Sequence, residues 1–67
     1  MTIEQLIKSL GGVTSVRKEL KIKYNSIVYG WIRRGVIPSW RIPALIELAQ
    51  YSCNWEALQF LENYRGE

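Results

Sequence analysis

The chain has 67 residues, 48% of them apolar, with nine Lys and Arg against six acids for a net charge of +3. That length makes one domain with a thin core, because a chain of this size buries only about 60% of its unfolded surface. It contains no His and no Asp, which excludes a Ser-His-Asp triad and a His-based metal site, so no catalytic residue and no metal ligand is assigned.

Taken in order, every segment reads as helix, and strand-like alternation is nowhere sustained. The prediction is an all-α bundle of about five short helices, near residues 2–10, 14–20, 25–34, 40–50 and 54–64, forming a single domain over 1–67. "TIEQLIKSL" opens with Thr2 and Gln5 at capping-box spacing, and Ile3, Leu6, Ile7 and Leu10 make one apolar stripe. The same opening lacks a basic segment followed by an apolar run, and nothing later is long enough to span a bilayer. A mature, soluble protein with no membrane partner is expected. Gly11-Gly12 ends the first helix; "LGGV" has no phosphate-loop spacing and is a break between helices.

The second helix is capped by Thr14 or Ser15 and turns Val16 and Leu20 inward, leaving Arg17, Lys18 and Lys21 outside. "KIKYNS" is a tight connection with Ile22 as an apolar plug. Asn25 or Ser26 caps the third helix, where Ile27 or Val28 joins Trp31 and Ile32 on the buried side. Gly30 inside it costs about 1 kcal/mol relative to Ala; it reads either as a place of close backbone approach or as plain tolerance. Gly35 and Pro38 stop that helix. The fourth starts around Ser39–Trp40 with Pro43 in its first turn, and buries Ile42, Leu45, Ile46 and Ala49. Ser52 or Asn54 then caps a fifth helix driven by Trp55, Leu58, Phe60 and Leu61. Cys53, the only cysteine, rules out a disulfide framework and suggests a reducing compartment, the cytoplasm; it reads as a small core residue. Trp31 and Trp40 read as core or hinge packing.

Charge is unevenly placed. Residues 8–41 hold Lys8, Arg17, Lys18, Lys21, Lys23, Arg33, Arg34 and Arg41 against Glu19 alone, whereas residues 42–67 hold Arg65 against Glu47, Glu56, Glu62 and Glu67. One face made for a polyanion is the simplest account. Two short helices joined by a few residues, the second polar and aromatic on its outer side, describe a helix-turn-helix. Its second helix enters the DNA major groove, so Asn25, Ser26, Tyr29, Gly30 and Arg33 are expected at the bases.

"GGVTSVRKELKI" followed by "VYGWIRRGVIPSWR" resembles the Cro-like, lambda-repressor-type helix-turn-helix proteins of phages and bacteria. That group commonly shows a double Gly, a Leu-Ala-x-x-Leu-Gly-Val-Ser turn, Val-x-x-Trp, then Arg-Gly-x-Ile-Pro and a nearby Arg. The match covers about residues 3–50. The resemblance implies a small transcriptional regulator or repressor binding a duplex DNA operator, often as a homodimer, without a cofactor or a small-molecule substrate. It carries over Tyr29 and Arg33 to the bases and Thr14, Arg34 and Arg41 to the DNA backbone, where Ser15, Arg17, Lys23 and Tyr24 are also placed. The chain departs from the pattern at Lys21, where the family has its turn Gly, and at Arg17, where it has a small Ala. The spacing from Leu20 to Trp31 is also one residue longer, which places an extra residue near Lys23-Tyr24-Asn25.

Two other readings stand beside it. "VYGWIRRGVIPSWRIP" also resembles the recognition helix of excisionase and MerR-type winged helices, although Gly35 to Arg41 is short for a wing. A protein-interaction module on the same fold, an antirepressor or an inhibitor of a host factor, would use Tyr29, Trp40 and Trp55. The fifth helix, through Trp55 and Phe60, is the expected dimer surface.

Overall fold

A computed structural model describes residues 1–64. The order is α1 (Ile3–Ser9), α2 (Val13–Glu19), α3 (Asn25–Arg34), a 3-10 turn (Ser39–Arg41), α4 (Ile42–Tyr51) and α5 (Trp55–Asn63). No strand occurs among the described residues, so the all-α expectation holds. None of their helices is long and apolar enough to cross a membrane.

Helix α1 starts as its sequence dictates. The Gln5 backbone N–H donates to Thr2 Oγ1 at 3.1 Å and the Thr2 N–H to Gln5 Oε1 at 2.9 Å, so two otherwise orphaned donors are satisfied reciprocally. Ile3, Leu6, Ile7 and Leu10 are all buried, as their spacing requires.

Three of the helix stops, after α1, α2 and α4, share one geometry. After α1, Gly11 takes φ 109° while the Gly12 N–H donates to Ile7 O at 2.9 Å and the Gly11 N–H to Lys8 O at 3.1 Å. This is the Schellman pattern, which closes a helix through a left-handed residue. The same pair of bonds ends α2, with Ile22 N–H on Arg17 O and Lys21 N–H on Lys18 O, and ends α4, with Asn54 N–H on Ala49 O and Cys53 N–H on Gln50 O. At those two stops the left-handed position is held by Lys21 (φ 57°) and Cys53 (φ 54°), where an L side chain costs about 1–2 kcal/mol. Cys53 is therefore not a core residue: the stop turns it outward, and it is an exposed free thiol.

Helix starts differ more from expectation. Thr14 and Ser15 do not cap α2, which begins at Val13 behind Gly12, and Asn25 and Ser26 lie within the first turn of α3 behind Tyr24; neither start has a side-chain cap bond. Ser39–Arg41 form the 3-10 turn and α4 proper begins at Ile42, with Pro43 in its first turn. Asn54 does cap α5, accepting from the Ala57 N–H at 3.2 Å, and its Nδ2 donates to Ser9 O at 3.0 Å, tying α5 to the end of α1.

Packing is pairwise: α4 lies against α5, α2 against α3, and α1 against both α2 and α3. The core also draws on Val16, Ile22, Val28, Trp31, Ile37, Ile42, Leu45, Ala49, Ala57 and Leu61, and no polar residue among the described ones is fully buried. Ile22 is the plug foreseen between α2 and α3, whereas Leu20 is only half-buried. Leu58 and Phe60 are half-buried and Trp55 is 64% exposed, so α5 is anchored by Ala57 and Leu61 and not by its Trp. Phe60 stacks on Tyr64 at 5.6 Å between centroids, and the Ile37 N–H donates to the Tyr64 hydroxyl at 2.9 Å. That bond fixes the stretch after α3 to the far end of the described chain.

Candidate nucleic-acid interface

α3 is divided lengthwise. Val28 is fully buried and Trp31 only 2% exposed, with Ile32 half-buried beside them, which fixes the helix's rotation on the domain. Ser26, Gly30 and Arg33 follow at i, i+4 and i+7 on the opposite side. Tyr29 (51% exposed) and Arg34 flank that column, and Ser26, Arg33 and Arg34 are all exposed. Ile27 is exposed as well, so Val28 takes the buried position of the two.

Gly30 sits in the middle of this outward column. A Cβ built there meets nothing within 4 Å, so no contact among the described residues explains the glycine. Gly30→Ala is thus expected to stabilise the fold by about 0.4–1 kcal/mol through the unfolded state and helix propensity. Urea melts of the two proteins decide it; a loss of stability would show that this face packs against something.

The expected base-contacting residues divide. Ser26, Tyr29, Gly30 and Arg33 share the outward side. Asn25 does not join them cleanly, because its Oδ1 is buried and unpartnered among the described residues. Thr14 and Tyr29 line one groove together with Glu4, Lys8 and Ile32, so the start of α2 and the flank of α3 converge.

Among the expected backbone contacts, Thr14, Lys23, Tyr24 and Arg34 are exposed, while Ser15 and Arg17 are half-buried. Arg17 is already engaged: its Nη1 donates to Ile22 O at 3.3 Å across the α2 stop. Lys23 Nζ lies 5.5 Å from the Tyr24 ring centre, and Arg34 Nε donates to Gly30 O at 3.3 Å. Lys21, exposed on its left-handed turn, adds a cation to the same connection. From Leu20 to Ile46 the chain carries Lys21, Lys23, Arg33, Arg34 and Arg41 and no acid at all. Lys23 and Tyr24 lie in the connection between the end of α2 at Glu19 and the start of α3 at Asn25.

Trp40 departs from its expected packing role. It is 70% exposed, and the Arg41 guanidinium carbon lies 4.0 Å from its ring centre. Its position carried a signal: helical spacing counted back from buried Ile42 puts Trp40 on the far side of α4 from the core.

No protein-family model, curated protein or solved structure matches the chain.

The outer side of α3 thus offers the Ser26 hydroxyl, the Tyr29 ring and the guanidinium groups of Arg33 and Arg34.

Proposed function

We propose that the chain is a sequence-specific duplex-DNA-binding regulator of the helix-turn-helix kind, a Cro-like repressor acting in the cytoplasm. The observation that carries this reading is the lengthwise division of α3. Its inner side is locked by Val28 and Trp31, and its outer side presents Ser26, Tyr29, Gly30 and Arg33 between exposed Lys23 and Arg34. B-DNA's major groove is about 12 Å wide and an α-helix with side chains about 10–12 Å across, so α3 enters with its outer column against the base edges.

Arg33 is matched to guanine, which offers two acceptors there, and Tyr29 to a thymine methyl or a phosphate. Gly30 lets the groove floor approach the helix backbone, so Gly30→Ala should weaken DNA binding even as it stabilises the fold. Lys21, Lys23, Tyr24, Arg34 and Arg41, with Thr14 at the start of α2, supply phosphate contacts; these give most of the affinity and none of the selectivity.

The test is selection from random-sequence duplexes followed by titration of the best sequence at two salt concentrations. A defined motif should be enriched, as paired half-sites about one helical turn apart if the protein binds as a homodimer. Affinity should fall steeply with salt. Enrichment of no sequence, with binding that ignores salt, would remove the regulator reading.

A protein-interaction module is favoured by a different observation, the exposure of Tyr51 and Trp55 at the α4–α5 corner. A winged helix has less support, because only Val36, Ile37 and Pro38 separate Gly35 from the 3-10 turn and no strand intervenes among the described residues.

A further inference from the structure

Three observations meet at the 3-10 turn between α3 and α4. Trp40 is a large indole left mostly in water although buried positions lie two residues away on α4. The Arg41 guanidinium lies over that ring at 4.0 Å. Arg41 Nε is buried yet has no acceptor among the described residues. The first is unfavourable to leave unexplained, and the third leaves a charged donor group without its hydrogen bond.

We propose that Trp40 and Arg41 form a phosphate clamp on the DNA backbone beside the segment read by α3, with Trp40 as the positioning residue. The inference rests on the DNA-binding reading. An arginine on an open surface samples many rotamers, and ordering it on a phosphate costs conformational entropy. The indole face holds the guanidinium plane in advance, through an attraction between the cation and the ring's negative face. A guanidinium held by its face keeps its terminal Nη N–H donors for an anion, and a phosphodiester accepts two N–H groups side by side. The absence of any acid from Leu20 to Ile46 leaves no neighbour in that stretch to neutralise Arg41. The bond from the Ile37 N–H to the Tyr64 hydroxyl, at 2.9 Å, steadies the connection that carries the pair. A phosphate is therefore the chemistry this pair recognises.

The experiment uses the full chain and a mixed-sequence duplex of about two helical turns, with the selected sequence as a second probe. Wild type, Trp40→Ala, Trp40→Phe, Arg41→Ala and the double variant Trp40→Ala/Arg41→Ala are titrated at several salt concentrations. Arg41→Ala should reduce the slope of log affinity against log salt by about 0.9, one phosphate's share. Trp40→Ala should weaken binding about 2- to 5-fold, the scale of an exposed cation–π contact. Trp40→Phe should restore much of that loss, and the double variant should bind no worse than Arg41→Ala. The motif recovered by selection should be unchanged in all of them, because a phosphate contact carries no base information.

The clamp is refuted if Trp40→Ala binds both probes like wild type, as a Trp40 serving a protein partner would allow. It is refuted equally if the two losses add independently. A wild-type protein that shows no salt-dependent duplex binding removes the regulator reading itself, and the clamp with it. Thermal melts accompany each variant; both side chains lie outside the buried core, so the fold should persist.

Discussion

A Trp31→Ala variant is expected to lose most of its cooperative unfolding transition. Trp31 is 2% exposed and packs in the same core as Val16, Val28 and Ile37. Truncating a buried Trp or Phe to Ala removes about 3–5 kcal/mol, from lost transfer energy and the cavity left behind. Stability of about 0.05–0.15 kcal/mol per residue gives a domain of this size about 3–10 kcal/mol in total. The substitution therefore consumes much or all of it. Thermal melts followed by circular dichroism check this, with Trp55→Ala as the control. That side chain is 64% exposed, and its loss should cost no more than about 0.5 kcal/mol. If Trp31→Ala melts within a few degrees of wild type, the inner side of α3 is not the anchor described above.

Arg33→Ala should separate affinity from selectivity. Arg33 is exposed in the last turn of α3, so removing it leaves the fold intact. On the regulator reading it makes a two-pronged contact with guanine, and such a pair is worth about 1–3 kcal/mol of discrimination. The best sequence should bind about 5- to 150-fold more weakly, and repeated selection should tolerate other bases at one position of each half-site. Arg34→Ala, by contrast, should weaken all sequences alike, because a phosphate contact is blind to the base. An unchanged motif of unchanged strictness after Arg33→Ala would mean that another residue reads that position.

The exposed tryptophans also explain what could be read in advance. Ile3, Leu6, Ile7 and Leu10 follow the helical period without interruption, and all four are buried. Val28 with Trp31, and Ile42 with Leu45 and Ala49, follow the same rule. Trp55 precedes Ala57, the first buried residue of α5, by two places, and Trp40 precedes Ile42, the first buried residue of α4, by the same interval, which is out of phase with the core. Bulk suggested packing for Trp40 and Trp55, but phase decided against it. The helix starts were less legible, because Thr14, Ser15, Asn25 and Ser26 are good caps that stand just inside helices begun by Gly12 and Tyr24. The outward column of α3 was legible from its spacing. The buried Asn25 Oδ1 and the rotamers that stack neighbouring Trp40 and Arg41 within the 3-10 turn are not encoded in the hydrophobic period.

The hydroxyl of Tyr64 has a consequence for the order in which the molecule is completed. Its partner, the Ile37 N–H, lies 27 residues earlier, and domains generally acquire structure as synthesis proceeds from the N-terminus. On a growing polypeptide still attached to the ribosome, the first three helices can associate while the segment bearing Trp40 and Arg41 lacks this hydrogen bond. That bond awaits the emergence of Tyr64 beyond α5, so the surface is completed last beside the proposed clamp.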